Sequence, residues 1–424
     1  MPVFVALVLF SLVFQSCQKD DPEPIDDDPI SINQSNEAFY GLMKEWYFWY
    51  DQIPEVNPSS FPNPSALLEA IKKRPEDRWS YITSKQEFES YFIESKMFGH
   101  GFSSRYDVQG KLRVAFLFTD SDLYTQGVER SWTIEAINGT VITPGFNFNT
   151  LLGLNQAGVS NTFRFRKPDG TLADITSTKK EIKMNTILHS EIIEKVGLKI
   201  GYMVLNGFTT PTIAEIDSVF AIFSQNNIDE LILDMRYNGG GQTNVATHLA
   251  SKIAGNSLSG QPFTKYVYND KKSAENNRTE NFRTIENGLN LSRLITICTR
   301  STASASEMVI NGLQPFIDVH IIGNNTYGKP MGMNAWTYAD LAFVPITFKT
   351  QNANDFGDFF DGLPADLFAP DDLSRVFGDP LESSLQQALA FITFGITKSM
   401  PIVETQYKQP VEYMTGLRAI IGAH

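Results

Sequence analysis

A cluster of small hydroxyl residues, Ser301-Thr302-Ala303-Ser304-Ala305-Ser306-Glu307, follows directly on the apolar run Leu294 to Cys298, and a lysine, Lys329, stands 25 residues after Ser304. A serine hydroxyl attacks a carbonyl only when a base takes its proton. A lysine can be that base when its amine is neutral, and burial among apolar groups favours this by lowering its pKa from about 10.4. Lys329 lies between Tyr327 and the run Pro330-Met331-Gly332-Met333, a mostly apolar neighbourhood. Ser304 opens a helical pattern with Met308, Leu313 and Phe316 at apolar positions, and a helix N-terminus favours developing negative charge. Each residue alone has an ordinary reading. Ser304-x-x-Glu307 spells a capping box, and most lysines are solvated surface charges.

The elements that would position this pair alternate in type. Gly201 to Leu205 has strand character and Ile213 to Ser224 helical character, followed by a strand over Glu230 to Met235 and a helix over Thr243 to Ile253. The strand pattern Val319 to Ile322 then leads into the polar turn that carries Lys329. Such alternation predicts an α/β domain, with the serine and the lysine at one edge of its sheet. Leu341 to Phe348 reads as a further strand, Pro380 to Ile392 as a helix, and polar Asn269 to Asn290 as a loop or lid.

Three motifs occur in order: Asp234-Met235-Arg236-Tyr237-Asn238-Gly239-Gly240-Gly241 after a strand, Ser304-Ala305-Ser306-Glu307 at a helix start, and Gly328-Lys329. Together they resemble the C-terminal-processing (tail-specific) serine peptidases, with Asp361-Gly362-Leu363-Pro364-Ala365-Asp366 similar to a late turn of that family. The resemblance implies an α/β catalytic core of crotonase-like ββα type, a Ser304 nucleophile with Lys329 as base, and an oxyanion hole from the amides of Gly240 and Ala305. It implies hydrolysis of protein or peptide substrates. Preorganised donors serve the oxyanion, and glycine lets backbone approach closely. Arg236 is expected to make structural ion pairs. The family pattern is broken at Pro315, where an aspartate is common, and at Met333, where a glutamine is common; Asn334 could stand in for the latter. A peptide-binding surface protein that kept the fold and lost turnover is the alternative reading, and an enzyme opened by a partner peptide a third.

Upstream, Gly99-His100-Gly101-Phe102 resembles the carboxylate-binding loop of PDZ domains, supported by Gly127-Val128 and the run Ile134-Glu135-Ala136-Ile137-Asn138-Gly139. In such domains a peptide adds as a strand while loop amides hold its C-terminal carboxylate. These four loop residues are therefore candidate peptide-binding residues. From Asn33 to about Lys96, Phe39, Leu42, Met43, Trp46, Trp49 and Tyr50 recur at helical spacing, and this aromatic stripe reads as core.

The chain begins with an apolar stretch, Val3 to Phe14, too short to span a bilayer. Leu12-Val13-Phe14-Gln15-Ser16-Cys17 resembles a lipobox, and Gln18-Lys19-Asp20-Asp21 resembles the acidic signal of outer-membrane lipoproteins. A lipid anchor on Cys17 and an outer-membrane location, on the periplasmic or cell-surface face, are the expectation. The implied organisation is a signal peptide at 1–16, a disordered tether at 17–30, a helical domain at 31–96, a PDZ-like β-rich domain at 97–186, a catalytic domain at 187–396 and a tail at 397–424. The net charge of −13 argues against nucleic-acid partners. Two cysteines are too few for a disulfide framework, and Cys298 reads as a small core residue. His100, His189, His248 and His320 fall in no triad motif, and no metal or cofactor signature is present.

Overall fold

The computed structural model describes residues 31–395, 399–401 and 409. The signal, Cys17 and the acidic tether lie outside the described residues. The N-terminal region holds α1 (Ile32–Trp46), α2 (Pro64–Ile71), β1 (Tyr81–Ser84) and α3 (Lys85–Phe92). Ser31 caps α1 with a reciprocal Gln34 contact, and Asn63 caps α2 ahead of Pro64, where the missing proline N–H costs nothing. The aromatic stripe is core for Phe39 and Met43, which are fully buried, whereas Trp49 and Tyr50 lie past the end of α1. The helical reading fails at Tyr81 to Ser84: alternate residues are buried there, and the segment pairs with a later strand.

A second unit is an antiparallel sheet. Its strands are β3 (Phe102–Tyr106), β4 (Leu112–Leu117), β5 (Thr133–Ile137), β7 (Ser160–Arg166) and β8 (Leu172–Thr178), in that order, with β6 (Thr140–Val141) paired to β5. The short α4 (Asp122–Thr125) follows β4, and β2 (Lys96–Gly99) pairs separately with β9 (Lys180–Lys183). Asn138 and Gly139 both take positive φ in the turn between β5 and β6, as a tight hairpin turn requires. Fully buried Phe163 and Phe165 anchor this unit's core with Val114, Ile134 and Trp132.

The third unit carries the parallel sheet. β10 (Ile187–Lys195) and β11 (Leu198–Leu205) form a hairpin, and β12 (Glu230–Asp234), β15 (Arg293–Cys298), β16 (Asp318–Gly323) and β21 (Leu367–Phe368) continue from β11 in parallel. Successive residues of β12 point to opposite faces. Leu231 and Leu233 meet α5 (Thr212–Gln225), α6 (Thr243–Ala254) and α8 (Ala305–Leu313), whereas Ile232 packs with Leu385 and Leu389 of α9 (Ser383–Phe394). Burial on both faces explains why these strands read as unbroken apolar runs.

Two further antiparallel sheets flank the site. One orders β14 (Arg278–Asn281), β13 (Pro262–Tyr268), β20 (Ile346–Gln351) and β17 (Met331–Met333); the other orders β1, β19 (Leu341–Val344) and β18 (Trp336–Tyr338). The single strand expected over Leu341 to Phe348 is thus two, divided at Pro345, which has no N–H to continue a ladder. The expected loop at Asn269 to Asn290 contains α7 (Asp270–Asn276), capped by Asn269, and β14, held by pairing to β13. Caps and ladder bonds form these short elements without an apolar period. The N-terminal core of Phe39, Trp79 and Leu67 closes directly on Met331, Phe343 and Ile346, so the helical region packs against the strands that follow Lys329.

Candidate active site

The glycine loop leaves the C-terminal end of β12, Ser304 follows β15, and Lys329 lies between β16 and β17. All three therefore gather beyond the carboxyl ends of neighbouring parallel strands, where open α/β sheets place their ligands. Ser304 has φ 58° and ψ −116°, a left-handed backbone that costs a non-glycine residue free energy and needs surrounding structure to hold it.

That support comes from Glu307. Its carboxylate is fully buried. One oxygen accepts the N–H groups of Ser304 and Lys329, both at 2.8 Å. The other accepts the Gly328 N–H at 2.7 Å and the Thr326 hydroxyl at 2.6 Å. Four donors suit an acceptor-only carboxylate. Burial pushes the Glu307 carboxyl up from its ordinary range, and the four donors oppose that rise. Sequence reasoning saw Glu307 only as a helix cap. Its reach back to the Ser304 N–H fits that reading, but its larger part is to fix the backbones of both candidate catalytic residues to one group. The signal missed was the turn Thr326-Tyr327-Gly328-Lys329, whose donors have no local strand partner.

Lys329 is buried, and desolvation lowers its pKa to about 8 against the opposing charges of Asp77 and Glu307. Asp77, fully buried, comes from the N-terminal region. It accepts from the Tyr47 hydroxyl at 2.8 Å and from the N–H groups of Trp79 and Ser80. Sequence reasoning assigned that region no chemistry, yet it supplies one of the two charges acting on the lysine.

Ser304 and Lys329 line one cavity of about 300 Å³, together with Gly239, Gly241, Phe92 and Met333. A larger concavity of about 710 Å³ contains neither residue; it lies on the second sheet, among charge pairs such as Arg164 with Asp174. Chemistry therefore points to the smaller one. Asn334 also lines the cavity, but its side-chain oxygen accepts from the hydroxyls of Thr347 at 2.7 Å and Tyr268 at 3.2 Å.

Gly240 sits hard against the serine. A Cβ there would lie 2.8 Å from Ser304 Cβ and 2.9 Å from Ala305 N, and its φ is 101°, so no other residue fits. Its amide, however, donates to Asn238 Oδ1 at 2.9 Å. The expectation that Gly240 offers a free oxyanion donor is therefore corrected for this conformation: the side chain two residues earlier takes the N–H. Ala305 is the first residue of α8, where a backbone N–H has no intrahelical acceptor. Asn238 also joins the two loops, because its carbonyl accepts the Ala303 N–H at 3.1 Å and the Ser306 hydroxyl at 3.0 Å.

Beneath the glycine loop, fully buried Arg236 pairs with Asp234, Asp371 and Glu382, the structural role expected for it. Arg130 of the second unit reaches the same Asp371 and the Tyr237 hydroxyl, each at 2.8 Å. His248 bonds Asp217, His189 lies beside Glu191, and His320 packs on Phe391; none of the three lines the cavity of Ser304.

At the Gly99–Phe102 loop, His100 is buried and its ring nitrogens bond Ser177 at 2.9 Å and Asn161 at 2.7 Å. The carbonyls of His100 and Gly101 are taken by the Ser121 hydroxyl and the Phe118 N–H. A cavity of about 40 Å³ remains beside Gly99, Phe102, Phe148 and Leu152.

The profile of Peptidase family S41 matches residues 199–367, and that of the Peptidase S41 N-terminal domain matches residues 34–81. The chain belongs to peptidase family S41. A carboxyl-terminal-processing protease of a Picosynechococcus strain is 26% identical over 57% of this chain and 56% of its own length. The chloroplastic carboxyl-terminal-processing peptidase 1 of Arabidopsis thaliana is 26% identical over 70% of this chain and 61% of its own length. The chain thus spans less than two thirds of these relatives. A candidate S41 protease from Bacteroides fragilis has the same fold, with TM-score 0.72 at 24% identity, over 85% of this chain and 98% of that one. The photosystem II D1 C-terminal processing protease superposes at TM-score 0.50 and 16% identity, over 80% of this chain and 94% of that one. The architecture is the mixed α/β fold of S41 proteases with an N-terminal helical region.

Proposed function

We propose that this S41 member is a serine endopeptidase in which Ser304 is the nucleophile and Lys329 the general base. The observation that carries the reading is the Glu307 carboxylate, one oxygen of which ties the backbones of both residues at 2.8 Å beside a shared cavity. Ser304 Oγ attacks the scissile carbonyl while its proton passes to neutral Lys329 Nζ. The resulting oxyanion faces the Ala305 N–H at the α8 N-terminus and the glycine loop. Collapse of that intermediate breaks the C–N bond, and the lysine ammonium returns a proton to the departing amine. Water then repeats the sequence on the acyl-enzyme, with Lys329 again as base, and releases Ser304.

The occupied Gly240 amide favours a resting form in which Asn238 must turn aside before the oxyanion hole is complete, which is the partner-opened reading of the sequence. The Gly99–Phe102 loop and the sheet that begins with β3 act as a PDZ-like unit that engages substrate C-termini. A lipid on Cys17 anchors the enzyme to the outer membrane, outside the cytoplasm, and its substrates are extracytoplasmic proteins.

The test is cleavage of an unfolded protein by the chain beside Ser304→Ala and Lys329→Ala. Each substitution is expected to lower kcat by about 10³-fold or more. Retained hydrolysis in Ser304→Ala would sink the assignment and leave the binding-protein reading.

A further inference from the structure

β3 is an edge strand of the second sheet, and the Gly99–Phe102 loop runs directly into it. Its last residue, Tyr106, turns both backbone groups away from β4. The Tyr106 N–H donates to Gln409 Oε1 at 2.9 Å, and the Tyr106 carbonyl accepts from Gln409 Nε2 at 3.0 Å. One residue of an antiparallel partner strand makes the same exchange of a donor and an acceptor. The side-chain amide of Gln409 therefore meets the edge of β3 at Tyr106 as an added strand would.

A second anchor lies earlier in the same segment. Met400 N–H donates to the Phe368 carbonyl at 2.8 Å, and Phe368 N–H donates to Ser399 Oγ at 3.2 Å. Phe368 belongs to β21, the edge of the parallel sheet. Gln409 follows Met400 by nine positions, a reach of up to about 30 Å. Between the anchors is a cavity of about 570 Å³, lined by Arg105 and Asp107 on one side and Ala369 and Leu373 on the other, with Gln409 at its wall.

We propose that the C-terminal segment is a ligand in cis: held on β21 at Met400, it seats Gln409 on the edge of β3 and competes there with an incoming peptide strand. A peptide that pairs antiparallel to β3 with its carboxylate at the Gly99–Phe102 loop would pass Tyr106 with its upstream residues. The competition rests on the PDZ-like reading above; the contact between Gln409 and Tyr106 does not.

The experiment uses the full chain carrying Ser304→Ala, with and without Gln409→Ala, so that no readout depends on hydrolysis. Amide hydrogen exchange at Tyr106 should quicken at least about five-fold in Gln409→Ala, the effect of losing one ordinary hydrogen bond, while Arg105, which pairs with Arg113 of β4, stays unchanged. Equal exchange at Tyr106 in the two proteins would overturn the docked segment. A fluorescein-labelled peptide of residues 402–416 should then bind Gln409→Ala about ten-fold or more tightly than the parent. Altered exchange with equal peptide binding would overturn the competition and count against the PDZ-like groove, while leaving the dyad assignment untouched.

Discussion

The Ser304 site and the Gly99–Phe102 loop were both drawn from short sequence motifs, and the fold treats them in opposite ways. At the first, one buried carboxylate satisfies the surrounding backbone and leaves a hydroxyl and a buried amine facing a cavity of about 300 Å³. At the second, the loop's own groups are consumed: His100 bonds Ser177 and Asn161, two carbonyls are taken, and about 40 Å³ of space remains. Around the proposed dyad, Glu307 spends its carboxylate mainly on backbone, and the two candidate side chains line one cavity. The Gly99–Phe102 loop spends both its His100 ring and its own carbonyls inside the second sheet.

Glu307 is the sharpest way to break that contrast. Replacing it with alanine strands the N–H groups of Ser304, Gly328 and Lys329 in a buried place, where each orphaned donor costs about 1–3 kcal/mol. Glu307→Ala should therefore lose about 3 kcal/mol or more of stability, and kcat should fall at least about 100-fold in protein that still folds. Denaturant unfolding and steady-state kinetics measure the two. A loss near 1 kcal/mol with kcat almost intact would reduce Glu307 to a helix cap.

The next largest effect concerns pH. With Lys329 held at about 8 by burial, the neutral amine forms as pH rises through that value. The kcat/KM profile should climb with a midpoint near 8, far below the 10.5 of an ordinary lysine. The sign for stability follows from the same shift. The unfolded chain binds the extra proton between about 8 and 10.5, so the cost of burying Lys329 is fully present below the lower value and fades as pH rises through the window. Asp77 holds the value up, so Asp77→Asn should move the midpoint lower. A midpoint that stays fixed in Asp77→Asn would remove the N-terminal region from the chemistry.

Much of this arrangement was legible in the chain. The strands of the parallel sheet stand in the sequence as apolar runs because both their faces are buried, and the motif residues fall at their carboxyl ends. What could not be read is pairing between distant segments. Asp77 lies 252 positions before Lys329, and no local pattern links them. Tyr81 to Ser84 looked helical in a helical neighbourhood because its strand partner, β19, comes 260 residues later. Gly240 was read as a glycine that lets backbone approach a substrate; its positive φ and its crowding by Ser304 and Ala305 are separate facts of the fold, and the direction of its N–H depends on Asn238, whose side-chain rotamer has no signature in sequence.

The smallest expected effect tests the loop's half of the comparison. Burial holds the His100 imidazole down at about 4, below its ordinary 6.5. In the unfolded chain the ring takes a proton as pH falls below 6.5, while the folded ring stays neutral to about 4. The part of stability that depends on a neutral His100 is thus complete above 6.5 and declines as pH falls through that window. His100→Gln keeps side-chain hydrogen-bonding groups without a titrating ring. It should flatten the acid limb of the stability curve between pH 6.5 and 4, cost about 1–2 kcal/mol at neutral pH, and leave kcat on a short peptide within two-fold. A large fall in kcat instead would mean that the loop and the serine site share one switch. The Arg130 to Asp371 to Arg236 chain of ion pairs runs from the second unit to the base of the glycine loop, so that result would have a route. That route is expected to carry little when His100 alone is changed, because His100 spends its bonds on Ser177 and Asn161 within its own sheet.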